Sequence, residues 1–137
     1  MTKQIWINLP VKDIRKSKEF FTRVGFSLNE QYGNSDHSAS LLIGEKNIVL
    51  MLFEEATFKS FTRNNLPDTK ISTEVLFSLD AESREEVDEM AKKAADAGGL
   101  IFAEPAENQG WMYGCGFADP DGHRWNVLYM DMSKIPK

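Results

Sequence analysis

From Gln4 to Val11 the chain alternates, with Ile5, Ile7, Leu9 and Val11 on one side and Trp6, Asn8 and Pro10 on the other. A period of two predicts a strand with an apolar face to bury and a mixed face carrying a large aromatic. Pro10 has no amide hydrogen for a ladder, so this strand is expected at an edge or to end there. Asp13 then caps a helix predicted to run to about Val24, with Ile14, Phe20, Phe21 and Val24 as its buried stripe. Gly25 is placed to close it. Three strands are predicted next, at about 26–32, 38–43 and 47–53, separated by Gly33-Asn34-Ser35-Asp36 and Gly44-Glu45-Lys46, both turn-forming. Over 54–66 the spacing of Phe58, Phe61 and Thr62 predicts a short helix or an irregular connector, ended by Leu66-Pro67-Asp68.

The pattern then restarts. Residues 72–79 read as a strand with Thr73, Val75, Phe77 and Leu79 on one face and Glu74, Leu76 and Ser78 on the other. Ser83-Arg84-Glu85-Glu86 is a capping-box sequence, and Val87, Met90, Ala91 and Ala94 continue it at helical spacing until Gly98-Gly99. Strands are expected at about 100–104, 111–118 and 123–130. The last two are joined by Asp119-Pro120-Asp121-Gly122, in which Pro120 presets the first corner, the aspartates can bond nearby amides and Gly122 tolerates positive φ. Beyond the turn, Arg124, Asn126, Leu128 and Met130 alternate with Trp125, Val127 and Tyr129. The order β-α-β-β-β therefore occurs twice, with Trp6 and Glu74 at corresponding places. The predicted class is α+β, with an N-terminal module 1–66 and a C-terminal module 67–137 that together leave a concave face for a ligand.

At 137 residues, with 42% hydrophobic and 27% charged positions, the chain has the composition of one compact globular protein. A formal net charge of −5 and the absence of a basic run argue against a nucleic-acid or acidic-membrane partner. Cys115 is the only cysteine, which excludes an intrachain disulfide and fits a cytoplasmic setting. The apolar run near the N-terminus is too short for a signal peptide, and no stretch is long enough to span a membrane.

The chain resembles the vicinal oxygen chelate superfamily, which groups glyoxalase I, bleomycin-resistance proteins and extradiol dioxygenases, and within it bacterial predicted lactoylglutathione lyases. The resemblance rests on the run Leu9-Pro10-Val11-Lys12-Asp13-Ile14-Arg15-Lys16-Ser17-Lys18-Glu19-Phe20-Phe21, on Val24-Gly25-Phe26, and on Phe117-Ala118-Asp119-Pro120-Asp121-Gly122-His123. It implies two βαβββ modules forming an open barrel around a central cavity, and a homodimer. It also implies that metal-ligand positions fall on Trp6, on a residue near Leu50 or Met51, on Glu74 and on Asn126. Indole nitrogen only donates, Leu and Met are poor ligands for hard or borderline cations, and Asn offers one neutral oxygen. Glu74 alone is an ordinary ligand, so a catalytic divalent metal is disfavoured and no metal residue is assigned.

The candidate site residues are Trp6, Asn8, Glu74, Tyr113, Arg124 and Asn126, as contacts to a small molecule. Trp6 reads either as a stacking surface or as filler of the space that metal and substrate occupy in relatives. Glu74 reads either as a proton-abstracting carboxylate or as a structural one bonded to Arg124, Asn126 or Asn8. Trp111, Met112 and Tyr113 read as a lid or wall, and Phe53, Phe58 and Phe61 as mouth or core. Cys115 reads as a small buried hydrophobe. His37 and His123 read as edge and turn residues, with no spacing that joins them in a metal motif. Two functions follow. One is metal-independent binding of a small molecule, for sequestration or sensing. The other is a glyoxalase-type lyase or isomerase, or a related dioxygenase, with a divalent cation and Glu74 as base or ligand.

Overall fold

The computed structural model describes residues 1–136 and resolves two compact units, Met1–Asp68 and a second beginning at Thr69. In the first, β1 (Trp6–Val11), α1 (Ile14–Arg23), β2 (Ser27–Leu28), β3 (Ser38–Ile43), β4 (Ile48–Glu54) and α2 (Glu55–Thr62) follow one another. Its sheet has the order β1-β4-β3-β2, with β1 parallel to β4 and the other neighbours antiparallel. The Asp13 side chain accepts the Lys16 amide at the start of α1, as its capping role requires. The helix packs on β3 and β4. Phe20 and Phe21 are buried, as are Leu41, Leu50 and Leu52 on those strands, and Phe21 stacks on Phe26 with ring centroids 5.5 Å apart.

The second unit repeats the order with β5 (Leu76–Asp80), α3 (Arg84–Asp96), β6 (Leu100–Asn108), β7 (Met112–Ala118) and β8 (Arg124–Met130), followed by a 3-10 turn at Met132–Lys134. Its sheet runs β5-β8-β7-β6, and β5 is parallel to β8 as β1 is to β4. α3 packs on β6, β7 and β8. The α+β class and the paired βαβββ plan are thus as the alternation predicts. Within the capping sequence, the Ser83 hydroxyl accepts the Glu86 amide, but the Glu86 carboxylate reaches the amide of Glu82 rather than that of Ser83.

Three strands differ from expectation. β2 ends at Leu28 because side-chain amides take over from the ladder: Asn29 Nδ2 donates to the Ser40 hydroxyl and Asn34 Oδ1 accepts the Ser40 amide. β6 continues to Asn108, past Pro105, because it is an edge strand whose register slips between Ala103 and Ala106, where a residue without an amide hydrogen is tolerated. β5 begins only at Leu76, so Glu74 lies in a bend ahead of it. α2 is a genuine helix but contains no buried residue; Phe61 is exposed and meets Phe53 edge-to-face at 5.1 Å. No helix is long and apolar enough to cross a membrane among the described residues.

The turn between β7 and β8 is organised by one buried carboxylate. Gly122 donates its amide to the Asp119 carbonyl at 2.9 Å and has φ of 84°, the left-handed conformation that favours glycine. The Asp119 carboxylate accepts the amides of Asp121 and His123 and the indole N–H of Trp125 at 3.1 Å. Trp125 is 1% exposed and Asp119 only 5%. Burial pushes the Asp119 carboxyl up to about 6, against the opposing pull of His123 and of the three N–H donors. The folded state therefore binds a proton more readily than the unfolded chain. The stability this group contributes is present below about pH 4 and is lost as pH rises through about 6.

Asp119→Asn keeps the shape but turns an amide donor or a single acceptor toward Trp125, leaving one N–H without its partner. It is expected to lower the unfolding free energy at pH 7 by about 1–3 kcal/mol in urea titration. The wild-type advantage over this variant should grow by an amount on the order of 2 kcal/mol between pH 7 and pH 4. A difference independent of pH would show that Asp119 does not titrate in this window.

Candidate functional site

The N-terminal sheet has one face under α1 and another that carries Trp6, Asn8 and Pro10. The register pairs Trp6 with Val49, Asn8 with Met51, and Met51 in turn with Ser40, so these residues share that second face. Leu50 belongs to the buried side and is fully enclosed. Of the two residues expected near the fourth-strand position, Met51 is therefore the one beside Asn8. It is also covered: a Cβ built on Gly33 would lie 3.0 Å from the Met51 sulfur and 2.8 Å from the Ser40 Cβ. Gly33 has φ of 92°, so both its backbone conformation and its close approach require glycine.

The loop that carries Gly33 is tied down on both sides. Asn34 Nδ2 donates to the Asn29 carbonyl at 2.6 Å, and the Ser38 hydroxyl donates to the Gly33 carbonyl at 2.7 Å. Tyr32, one residue before, accepts the Trp6 indole N–H on its hydroxyl at 3.2 Å. Trp6 is 48% exposed. It fills no core, and its one polar atom is already engaged.

The C-terminal sheet likewise has one face under α3 and one away from it. Cys115 belongs to the helix face, with its thiol 3.9 Å from the Val87 carbonyl. Burial raises that thiol to about 11, so it carries no thiolate at neutral pH and is the small buried hydrophobe expected. Tyr113 is on this same face. Its hydroxyl donates to Asp88 of α3 at 2.7 Å, and the Arg84 guanidinium lies 5.8 Å from its ring centre. The expectation that Tyr113 shares a surface with Asn126 is thus corrected, because alternation along β7 turns it toward the helix. The reading of Trp111, Met112 and Tyr113 as a lid is corrected as well. Met112 and Tyr113 pair with Met130 and Tyr129 in the ladder, and the Trp111 carbonyl accepts the Asp131 amide.

Arg124 and Asn126 point away from α3. Arg124 is level with Leu76 and Ala118, and Asn126 with Ser78 and Gly116. Phe102 lies directly over Gly116, where any Cβ would collide with its ring. The Arg124 guanidinium rests on the same ring, 4.4 Å from its centre. Arg124 Nε is buried and has no hydrogen-bond partner, and no carboxylate pairs with this side chain among the described residues. The sheet position level with Asn126 is Ser78; Glu74 lies four residues earlier, exposed, and bonds neither Arg124 nor Asn126.

His37 bonds Glu54 at 3.0 Å on the surface, and the His123 amide serves the Asp119 turn. No group of three or more His, Cys, Asp or Glu side chains is assembled among the described residues. An indole whose N–H is engaged, a thioether under a glycine, one amide and one exposed carboxylate do not form a donor set for a divalent cation. Sequence reasoning missed Tyr32 and Phe102. Tyr32 falls at the end of the strand predicted over 26–32, with nothing to set it apart, and Phe102 has no local signal because its role follows from the slipped register of β6.

Likeness to known proteins places this geometry in context. A hypothetical protein from S. aureus is 34% identical, with 94% of each chain covered and a TM-score of 0.82. A glyoxalase/bleomycin resistance protein/dioxygenase family enzyme from Burkholderia phytofirmans is 18% identical over 91% of this chain and 96% of its own, with a TM-score of 0.77. FosX, a genomically encoded fosfomycin resistance protein from Listeria monocytogenes, is 21% identical over 97% of each chain, with a TM-score of 0.67. Among curated proteins there is no significant match. The repeated βαβββ plan agrees with the sequence profile that matches residues 3–127, and the chain belongs to the Glyoxalase/Bleomycin resistance protein/Dioxygenase superfamily.

Proposed function

We propose that this protein binds a small anionic, partly apolar molecule without a metal ion, and sequesters or senses it. The observation that carries the reading is Arg124, a guanidinium laid on Phe102 whose buried Nε has no acceptor in the protein. A buried donor left unpaired costs about 1–3 kcal/mol, and the outer N–H groups of the same guanidinium, which pair with no carboxylate among the described residues, are the donors an anionic ligand would meet. Asn126, two residues along the same face, offers a donor and an acceptor beside it. Leu76, at 50% exposure, supplies apolar surface in the same row of the sheet. A relative named for fosfomycin resistance agrees with an action directed at a small molecule.

In this reading Trp6 and Asn8 present a second ligand-contacting surface on their own sheet. Glu74 is the weakest contact, since nothing in its unit orients it. Tyr113 is a structural residue tied to Asp88. The cytoplasm is the expected compartment and a homodimer the expected assembly; sedimentation equilibrium giving the monomer mass at micromolar concentration would overturn the dimer.

Two further measurements test the proposal. Arg124→Met keeps an unbranched apolar side chain at this position but removes the guanidinium that lies on Phe102. It is expected to weaken binding of phenylphosphonate or 2-naphthoate by roughly tenfold or more in isothermal titration. Unchanged affinity would refute Arg124 as the anchor. Elemental analysis after loading with Zn²⁺, Ni²⁺ and Mn²⁺ is expected to find no stoichiometric ion. About one tightly held ion per chain would instead favour the metal-dependent lyase, isomerase or dioxygenase, with Glu74 as ligand or base.

A further inference from the structure

The Trp6–Tyr32 pair has a polarity that the small-molecule reading leaves unused. The Trp6 indole N–H is donated to the Tyr32 hydroxyl, so Trp6 has only its ring face to offer. A phenol has one O–H donor as well as acceptor capacity. Tyr32 accepts from Trp6, and its own hydrogen meets no acceptor among the described residues. Both rings are 48% exposed, so neither is there to fill a core.

The backbone on either side of Tyr32 is tied down. The loop around it is fixed by the Asn29 amide on the Ser40 carbonyl at 2.8 Å, by Asn34 on both Asn29 and Ser40, and by Gly33 seated on Met51. A donor fixed in advance loses little freedom on meeting a ligand.

We infer that Trp6 and Tyr32 form one recognition element for a planar aromatic molecule with a hydrogen-bond acceptor, such as a ring carbonyl, at its edge. The molecule stacks on the exposed indole face, and the Tyr32 hydroxyl, 3.2 Å from the indole nitrogen and so at the rim of that face, donates to the acceptor. Tyr32 is then the residue that separates acceptor-bearing aromatics from plain hydrocarbons. This rests on the small-molecule reading but not on the anion anchor at Arg124.

The test uses two neutral probes of similar size: coumarin, which carries a ring carbonyl, and naphthalene, which carries none. Binding is followed by titration calorimetry and by quenching of tryptophan fluorescence in the full chain. The wild type is expected to prefer coumarin. Tyr32→Phe should lower coumarin affinity about fivefold while leaving naphthalene unchanged, the size of one net neutral hydrogen bond. Trp6→Leu should weaken both probes and remove most of the quenching. Circular dichroism and urea midpoints of both variants should match the wild type, since both side chains are half exposed. Equal coumarin affinity in wild type and Tyr32→Phe, or no binding of either probe by the wild type, overturns the inference. If phenylphosphonate binding that depends on Arg124 persists in that case, only the Trp6–Tyr32 element falls and the anion-binding proposal stands.

Discussion

A buried carboxylate with three N–H donors turned toward it fixes the geometry on which the C-terminal sheet depends. Asp119 holds the amides of its own turn and the indole of Trp125 at once, so the tightness of the turn and the depth of the largest core side chain are set together. Trp125 packs against Phe77 and Phe117 at centroid distances of 4.7 and 6.5 Å, which ties β5 and β7 to the same point. Alternation then does the rest: with Trp125 and Val127 inward, Arg124 and Asn126 must face the other way. Burial opposes the charge on Asp119 while the donors favour it. A structural need and an electrostatic penalty thus sit on one residue.

Much of this was legible in the sequence, and the reasons are local. The helix starts at Asp13 and Ser83, the glycines after both helices and the Asp-Pro-Asp-Gly turn are short-range signals whose chemistry does not depend on the rest of the chain. β3 and β8 match the sequence reading nearly to the residue, β3 because turn sequences bound it on both sides and β8 because the Asp-Pro-Asp-Gly turn and alternation mark it. The failures arise where the partner of a segment is distant. β2 stops early because Asn29 and Asn34 find Ser40 across the sheet, β6 continues past Pro105 because it has only one neighbour, and β5 begins late at Leu76.

The site was legible in its residue types more than in its arrangement. Arg124, Asn126, Trp6 and Asn8 fall on the faces that alternation gives them. Tyr113 reads from the sequence as a ligand contact, whereas its parity with Cys115 along β7 turns it toward α3 and Asp88. Glu74 was matched to Trp6 by position in the repeat, yet the ladder puts Ser78 level with Asn126. Tyr32 and Phe102 derive their roles from contacts, with Trp6 in one case and with Gly116 and Arg124 in the other, and no periodicity announces such contacts.

The seat of Gly33 on Met51 bears on how such a protein can change over time. In a family whose members differ in the chemistry they host, a shift of role is often pictured as exchange of a few side chains on a constant frame. Here the frame also presses on the position. A glutamate introduced at Met51 would meet a glycine backbone pressed against it and a loop nailed down by Asn29, Asn34 and Ser38. A carboxylate there would sit under the loop at a desolvation cost. A change of residue at Met51 is therefore coupled to a change in the loop, through packing as much as through what the face binds.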